Sequence, residues 1–319
     1  MRLTNRNYWT LVPALSLVTL GCSEPTGNEP VTKIPPSVKA PILKGQIVFF
    51  EYLHTGYEIF VAGSDGVRVR RISPPGALDI DPAVSPDGKR IAFVSAPPAG
   101  DWELYVMNAD GNERIRLTNS PGPDSDPAWS PDGQRIVFMS SVHYSSYQIY
   151  VVNADGTGLT RITNVEGGIG SPEWSSDGKI LFYLSLPGTE KRGLFSMSPD
   201  GSNVHQLTSG FRDRQPDASP DGNRIAFIRE GTSGDNLFVM NADGSGARQL
   251  TFGIPTVSDP AWSPDGTSIA FSVLSASRMC EDDFGYHYPC GSDLMRVGLD
   301  GVVDPVWLLR AAAHAAWHR

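Results

Sequence analysis

What this chain lacks removes several classes of function at once. Its 319 residues carry a formal net charge of −9, which argues against the basic face that a nucleic-acid phosphate backbone requires. Apolar faces of helical period are nowhere sustained for ten residues, because Asp-Gly pairs interrupt them throughout, which excludes a helical array. The Gly-x-Ser-x-Gly elbow of α/β-hydrolases does not occur, nor does the ligand spacing of an EF-hand loop or of a helical zinc site. Cysteine is scarce, with three in all.

What is present begins with a leader. Arg2 and Arg6 precede an apolar stretch, Tyr8 to Gly21, of fourteen residues, too few to cross a bilayer, which needs about 20. The stretch ends in Val18-Thr19-Leu20-Gly21-Cys22, which resembles the lipobox of bacterial lipoproteins, with Thr19 where a leucine is usual. That resemblance implies a signal peptide over 1–21, export, and a lipid on Cys22 as membrane anchor; the alternative is an ordinarily cleaved secretory signal. Setting Cys22 aside leaves Cys280 and Cys290, which would close one short loop as a disulfide in an oxidising compartment or stand as two thiols. Residues 22–44 are polar and carry Pro25, Pro30, Pro35, Pro36 and Pro41, the composition of a flexible tether.

From 45 to 310 the sequence repeats. The triplets Ile47-Val48-Phe49, Ile91-Ala92-Phe93, Ile136-Val137-Phe138, Ile180-Leu181-Phe182, Ile225-Ala226-Phe227 and Ile269-Ala270-Phe271 start at intervals of 44, 45, 44, 45 and 44. A period of this size marks a propeller or a helical array, and the turn chemistry selects the first. In the third unit, Pro127 to Ser130 leads into the turn Ser130-Pro131-Asp132-Gly133, then strands Arg135 to Ser140, Gln148 to Asn153 and, after Asp155-Gly156, Thr160 to Thr163. Four hairpin-connected strands per unit and six units predict an all-β fold: a six-bladed β-propeller of four-stranded antiparallel blades.

The box Asp126-Pro127-Ala128-Trp129-Ser130-Pro131-Asp132-Gly133 resembles the WD-repeat-like unit of the TolB family of periplasmic propellers. It returns at Asp81 to Gly88, Ser171 to Gly178, Gln215 to Gly222 and Asp259 to Gly266, and its companion runs from Leu104 to Gly111. The resemblance covers residues 45–309 and implies a propeller exported to the cell envelope. The domain that precedes the propeller in TolB has no counterpart in the short polar segment before residue 45. Unit one lacks the box, and Val38 to Leu43 is one candidate for its inner strand. Val306 to Leu309 reads as the last outer strand, with closure of blade one as the rival; Ala311 to Arg319 fits neither pattern. In unit six the distance from triplet to Asp-Gly is 31 residues against 18–20 elsewhere, an insertion around the cysteine pair.

Variation within the chain marks the candidate site. The turns are nearly identical between units, whereas the loops between second and third strands differ, the longest being Ser275 to Ser292 with Glu281, Asp282, Asp283, Tyr286, His287 and Tyr288. These loops and the starts of the inner strands share one mouth of the ring, where Asp79, Asp81, Asp124, Asp126, Asp213 and Asp259 are expected to gather. An acidic ring there would attract a basic peptide or a Ca²⁺ ion; alternatively, each Asp caps its own turn. His54 and His143 hold equivalent loop positions and, with His287, would be the ligands if the chain resembled the metal-dependent polysaccharide-lyase propellers; as exposed loop residues they would hold nothing. Trp129, Trp174 and Trp262 share a position filled by Val84 and Ala218 in other units, which marks it as a packing position. The expectation is a non-enzymatic envelope propeller that binds another envelope protein or peptide, with no resident cofactor. The alternatives are a metal-dependent carbohydrate-active enzyme and a structural scaffold.

Overall fold

The computed structural model describes residues 45–317 except 54–55, 98–99, 142–146, 210–211, 233, 255, 282–286, 300–305 and 310–312; for 52, 274–281, 287–292, 306–309 and 313–317 it describes the backbone alone. The leader, Cys22, the Pro-rich segment and the candidate strand Val38 to Leu43 lie outside these residues.

Among the described residues, twenty-four strands form six four-stranded sheets. Blade one holds β1 (Gln46–Leu53), β2 (Gly56–Gly63) and β3 (Arg70–Arg71). Blade two is β4 (Asp79–Val84), β5 (Arg90–Ser95), β6 (Glu103–Asn108) and β7 (Ile115–Arg116); blade three is β8 (Asp124–Trp129), β9 (Arg135–Ser141), β10 (Tyr147–Asn153) and β11 (Thr160–Arg161). Blade four is β12 (Gly168–Trp174), β13 (Ile180–Ser185), β14 (Arg192–Met197) and β15 (His205–Gln206); blade five is β16 (Asp213–Ala218), β17 (Arg224–Gly231), β18 (Gly234–Asn241) and β19 (Arg248–Gln249). Blade six is β20 (Val257–Trp262), β21 (Ser268–Glu281), β22 (His287–Gly298) and β23 (Val306–Leu309), and β24 (Ala313–Trp317) follows it.

β23 pairs with β22, so Val306 to Leu309 is the last outer strand. The ring is closed by β24, which pairs antiparallel with β1 and supplies the inner strand of blade one. The tail, which matches neither sequence pattern, is therefore part of the propeller. Its register explains why: Trp317 pairs with Ile47 and Ala316 with Val48, as Trp262 pairs with Ile269 and Ala261 with Ala270 in blade six. His314-Ala315-Ala316-Trp317 is a box in which His and Ala replace the Asp and Pro of Asp259-Pro260-Ala261-Trp262. The blade-six insertion is also more ordered than a loop. β21 and β22 run on as one hairpin, with a register shift between Ser275 and Met279, and pair as far as Glu281 with His287.

Both faces of each second strand are buried, as the unalternating triplets require: Ile91, Ala92 and Phe93 have no exposed surface. Among the described residues the core is a circle of six apolar clusters, each shared by two consecutive blades. Val48, Phe50 and Ile59 of blade one meet Ile91, Phe93 and Met107 of blade two, and Ile47 and Phe49 meet Ala261, Ala270 and Leu294 of blade six. Among the described residues the triplet Phe packs against a cross-strand aromatic in five blades, stacked in three of them, as Phe93 on Tyr105 with centroids 5.7 Å apart and Phe227 on Phe238 at 5.6 Å. The turns close by side-chain bonds. In Ser219-Pro220-Asp221-Gly222 the Ser219 hydroxyl donates to Asp221 while the Asn223 amide donates to the same carboxylate, and these bonds hold Asp221 down at about 2.

Candidate functional site

The inner strands build the channel, and each of the five from β4 to β20 is broken at the same place. Asp81, Asp126, Ser171, Gln215 and Asp259 have φ between 49° and 51° or 53°, a left-handed conformation that non-glycine residues seldom adopt, and each stands before a proline. The ladder shifts register there, between Ile80 and Ala83 in β4 and between Ser125 and Ala128 in β8. The bulge turns these side chains toward the axis, where consecutive blades touch: the Asp126 amide donates to Asp81 and the Asp259 amide to Gln215, whose own amide donates back to Asp259.

Below this ring lies a cavity of about 510 Å³. It is lined by the ring residues, the prolines after them, Glu173, Asp217, Trp129 and Trp262, and it reaches Pro86, Pro131 and Pro220 in the Ser-Pro-Asp-Gly turns. No described residue of the variable loops lines it. Trp129 and Trp262 are also pinned between blades, each indole N–H donating to the preceding blade, at Ala83 and Asp217. The Trp position is thus buried packing that also forms channel wall.

The six predicted aspartates separate into two sets. Asp81, Asp126 and Asp259 line the channel. Asp79, Asp124 and Asp213 do not: they are almost wholly buried between blades, which corrects the expectation of one six-membered acidic ring at the mouth. Two residues apart should mean the same face of a strand, but the intervening bulge breaks that alternation. Asp79 accepts two bonds from the Arg114 guanidinium, at 2.7 and 2.8 Å, and one from the Ser73 hydroxyl at 2.6 Å. Asp213 is gripped the same way by Arg229, at 2.6 and 2.7 Å. Asp124 instead accepts from the Thr118 hydroxyl and the Leu104 amide. Burial pushes its carboxyl up to about 6 against the hydroxyls of Ser140 and Thr118, with the Glu103 charge nearby adding to the rise. Ser73 and Thr118, just past the outer strands of blades one and two, thereby tie those blades to the inner strand of the next, whereas Arg114 and Arg229 grip Asp79 and Asp213 from within the same blade. The hydroxyl of Ser73, Thr118, Thr163, Thr208 or Thr251 accepts the amide fourteen residues earlier in each of blades one to five.

At the loop mouth, Tyr147 is partly exposed, and its phenol is pushed up by burial and by the charges of Asp126, Asp124 and Asp81. His54, His143, Asp282, Asp283 and Tyr286 lie outside the described residues. Glu281, His287 and Tyr288 stand at the far end of the blade-six hairpin, with Cys280 opposite Tyr288 in the ladder. Among the described residues no three His, Cys, Asp or Glu side chains gather as a metal would require.

Six four-stranded blades closed by a late strand, with an acidic, proline-walled channel, define a six-bladed β-propeller. The pattern of the TolB beta propeller domain matches residues 44–265, and the chain belongs to that family. No curated protein matches the chain. Among solved structures, it is similar to TolB from Acinetobacter baumannii at 19% identity and a TM-score of 0.69, covering 87% of this chain and 67% of that one. It is similar also to a putative TolB from Agrobacterium tumefaciens, at 22% identity and a TM-score of 0.63, over 84% of this chain and 90% of that one. An oligogalacturonate lyase from Vibrio parahaemolyticus shares the fold at 13% identity and a TM-score of 0.56, over 83% and 74% of the two chains.

Proposed function

We propose that the chain is an exported, lipid-anchored propeller of the cell envelope that acts without catalysis, binding another envelope protein or peptide at its loop-lined mouth. Family membership supports a propeller that serves as an interaction module. The single observation that carries the choice of mouth is the blade-six hairpin. There the ladder of β21 and β22 runs on past the register shift at Ser275 to Met279, on the face where the loops of the other blades also vary. A paired hairpin costs less ordering entropy on binding than a loop of equal length, which favours its use as a contact. The leader and the lipobox-like Val18 to Cys22 support export and anchoring, and a Cys280–Cys290 bridge would suit that compartment.

The test pairs crosslinking in the native envelope with a chain whose residues 275–292 are replaced by a two-residue turn. The trimmed propeller should unfold at nearly the same temperature and lose its crosslinked partner. Retention of the same partner would end this reading of the mouth. For the anchor, Cys22→Ala should move the protein to the soluble exported fraction; unchanged membrane partitioning would count against a lipid there.

A further inference from the structure

We propose that the carboxyl of Asp124 is a proton-operated clasp between blades two and three: protonated, it fixes the ends of the mouth loops of both blades, and ionised, it releases them. Its bearing on function rests on the loop mouth being the contact face, but the clasp is tested without a partner, so either reading can fail alone.

The hydrogens at this junction can be counted. The Thr118 hydroxyl accepts the Leu104 amide at 2.9 Å and has one hydrogen to give, yet two carboxyls stand beside it. Glu103 Oε2 is 2.9 Å away and Asp124 Oδ2 is 2.5 Å away. With Asp124 ionised, Thr118 donates to it and Glu103 forgoes that hydrogen. With Asp124 protonated the contact turns round: Asp124 donates to Thr118, Thr118 donates to Glu103, and both carboxyls are served. Glu103 has further donors in the Arg116 guanidinium, at 2.6 Å, and the Ser120 amide. Among the described residues no guanidinium or ammonium pairs with Asp124.

The other blades show that this arrangement is not forced by the fold. Two residues before the ring, the remaining inner strands from β4 to β20 hold Asp79, Ile169, Asp213 and Val257. Asp79 and Asp213 carry Arg114 and Arg229, and at the places of those two arginines blade three has Leu159 and Ser140. Ile169 and Val257 are buried there, so a junction closes without any carboxyl. Burial favours the proton on Asp124 and the Glu103 charge adds to it, against the hydroxyls of Ser140, Thr118 and Ser120. The other ionisable groups around it are Arg116, bound to Glu103 from β7, Asp126 on its own strand, and Tyr147 at the start of β10.

The backbone beside this carboxyl holds the loops. The Asp124 amide donates to the Trp102 carbonyl at 2.8 Å, where the blade-two loop ends. The Pro123 carbonyl accepts the Ser141 amide at 3.0 Å, where the blade-three loop begins. A shift of Asp124 away from Thr118 is therefore felt at both loop ends.

Amide hydrogen exchange in the full chain reads the clasp, with rates corrected for the intrinsic effect of pH. Leu104, bonded to Thr118, reports this junction, and Ile59, bonded to Ser73 beside the arginine-paired Asp79, is the internal control. From pH 5 to pH 7.5 the protection of Leu104 should fall about tenfold while that of Ile59 holds. Asp124→Asn, whose side-chain amide donates at every pH, should remove the fall, and His143→Ala should leave it. Carboxyl-carbon NMR of the unmodified chain should show Asp124 rather than Glu103 gaining a proton over that range, a reading that stands even if the Asn variant fails to fold. Equal falls at Leu104 and Ile59, a fall that survives Asp124→Asn or vanishes with His143→Ala, or a proton taken up by Glu103 instead would overturn the proposal.

Discussion

The guanidinium of Arg90 lies 4.7 Å from the ring centroid of Trp129 on the next blade. The relationship repeats with Arg135 over Trp174 at 4.9 Å and Arg224 over Trp262 at 5.1 Å. Where the Trp position holds Val84 or Ala218, the residue before the preceding triplet is Gln46 or Lys179 rather than Arg. Arginine and tryptophan therefore come together or not at all across these five junctions. At the sixth, Ser268 stands before the triplet that precedes Trp317, so the closing junction breaks the rule.

A double-mutant cycle of Arg90→Met and Trp129→Leu should give a coupling of about 0.5–2 kcal/mol in urea unfolding. Arg90 also donates to the Gly133 carbonyl at 3.0 Å, a bond that raises the cost of the single Arg90 change but cancels in the cycle. A coupling of zero would mean that the Arg–Trp pairing follows from backbone spacing and contributes nothing to blade cohesion.

Asp124 makes stability depend on pH. Its folded carboxyl titrates at about 6 against an ordinary 3.8, so the folded state holds its proton more tightly than the unfolded chain does. Its contribution is fully present below about pH 4, is lost as pH rises to about 6, and stays as a constant penalty above that. Asp124→Asn should accordingly stabilise the protein at pH 7 by on the order of 1–3 kcal/mol and flatten the profile between pH 4 and 6. Denaturant titrations of both proteins at pH 4, 5, 6 and 7 decide the matter; a variant less stable at every pH would contradict this account.

Ion pairs of different burial should differ in worth. Asp79 is fully buried beneath Arg114, and Arg114→Ala would strand its carboxylate with only the Ser73 hydroxyl, at a cost of about 3–5 kcal/mol. The Lys179–Asp177 pair, 2.6 Å long but with both side chains more than half exposed, should change stability by less than about 1 kcal/mol on Lys179→Ala. Chemical denaturation of the two variants side by side tests the contrast, and comparable losses would refute it.

Backbone conformation yields a stabilising change. Glu113, with φ of 54°, occupies the turn position held by Gly158 and Gly246 in blades three and five. Glu113→Gly relieves a left-handed conformation costing about 1–2 kcal/mol, partly offset by the greater freedom of unfolded glycine. A net gain of about 0.5–1 kcal/mol should appear as a higher melting temperature. A lower one would show that Glu113 makes a compensating contact.

Blade number, strand order and turn chemistry were readable because a propeller repeats its local rules at every blade, and five copies of Ser-x-Asp-Gly set the phase of the rest. The closing strand escaped that reading because Ala313 to Trp317 keeps only the Ala-Trp end of the box, and the Pro and Asp that mark the bulge elsewhere are replaced. Ala316-Trp317, matched to Ala128-Trp129 and Ala261-Trp262, was the signal available. The division of the aspartates was not readable from spacing, since Asp79 and Asp81 share a face in any regular strand and only the left-handed residue separates them. The channel site was visible only in part: Asp81, Asp126 and Asp259 stood out as charges, whereas Glu173, Asp217 and Gln215 join them through the curvature of the ring. The insertion around Cys280 and Cys290 was recognisable as extra length, but nothing in its composition announced a continued ladder.

Closure by β24 has a temporal consequence. The partner of Gln46–Leu53 does not leave the ribosome until residue 313 has been made, so blade one must wait, short of its innermost strand, while five later sheets emerge. During that interval the edge of β1 is open and the circle is a bent row whose two ends have not met, the form most exposed to wrong pairing. Completing the circle is therefore a late event in this protein's life, and a chain stalled before Ala313 would emerge as an aggregation hazard.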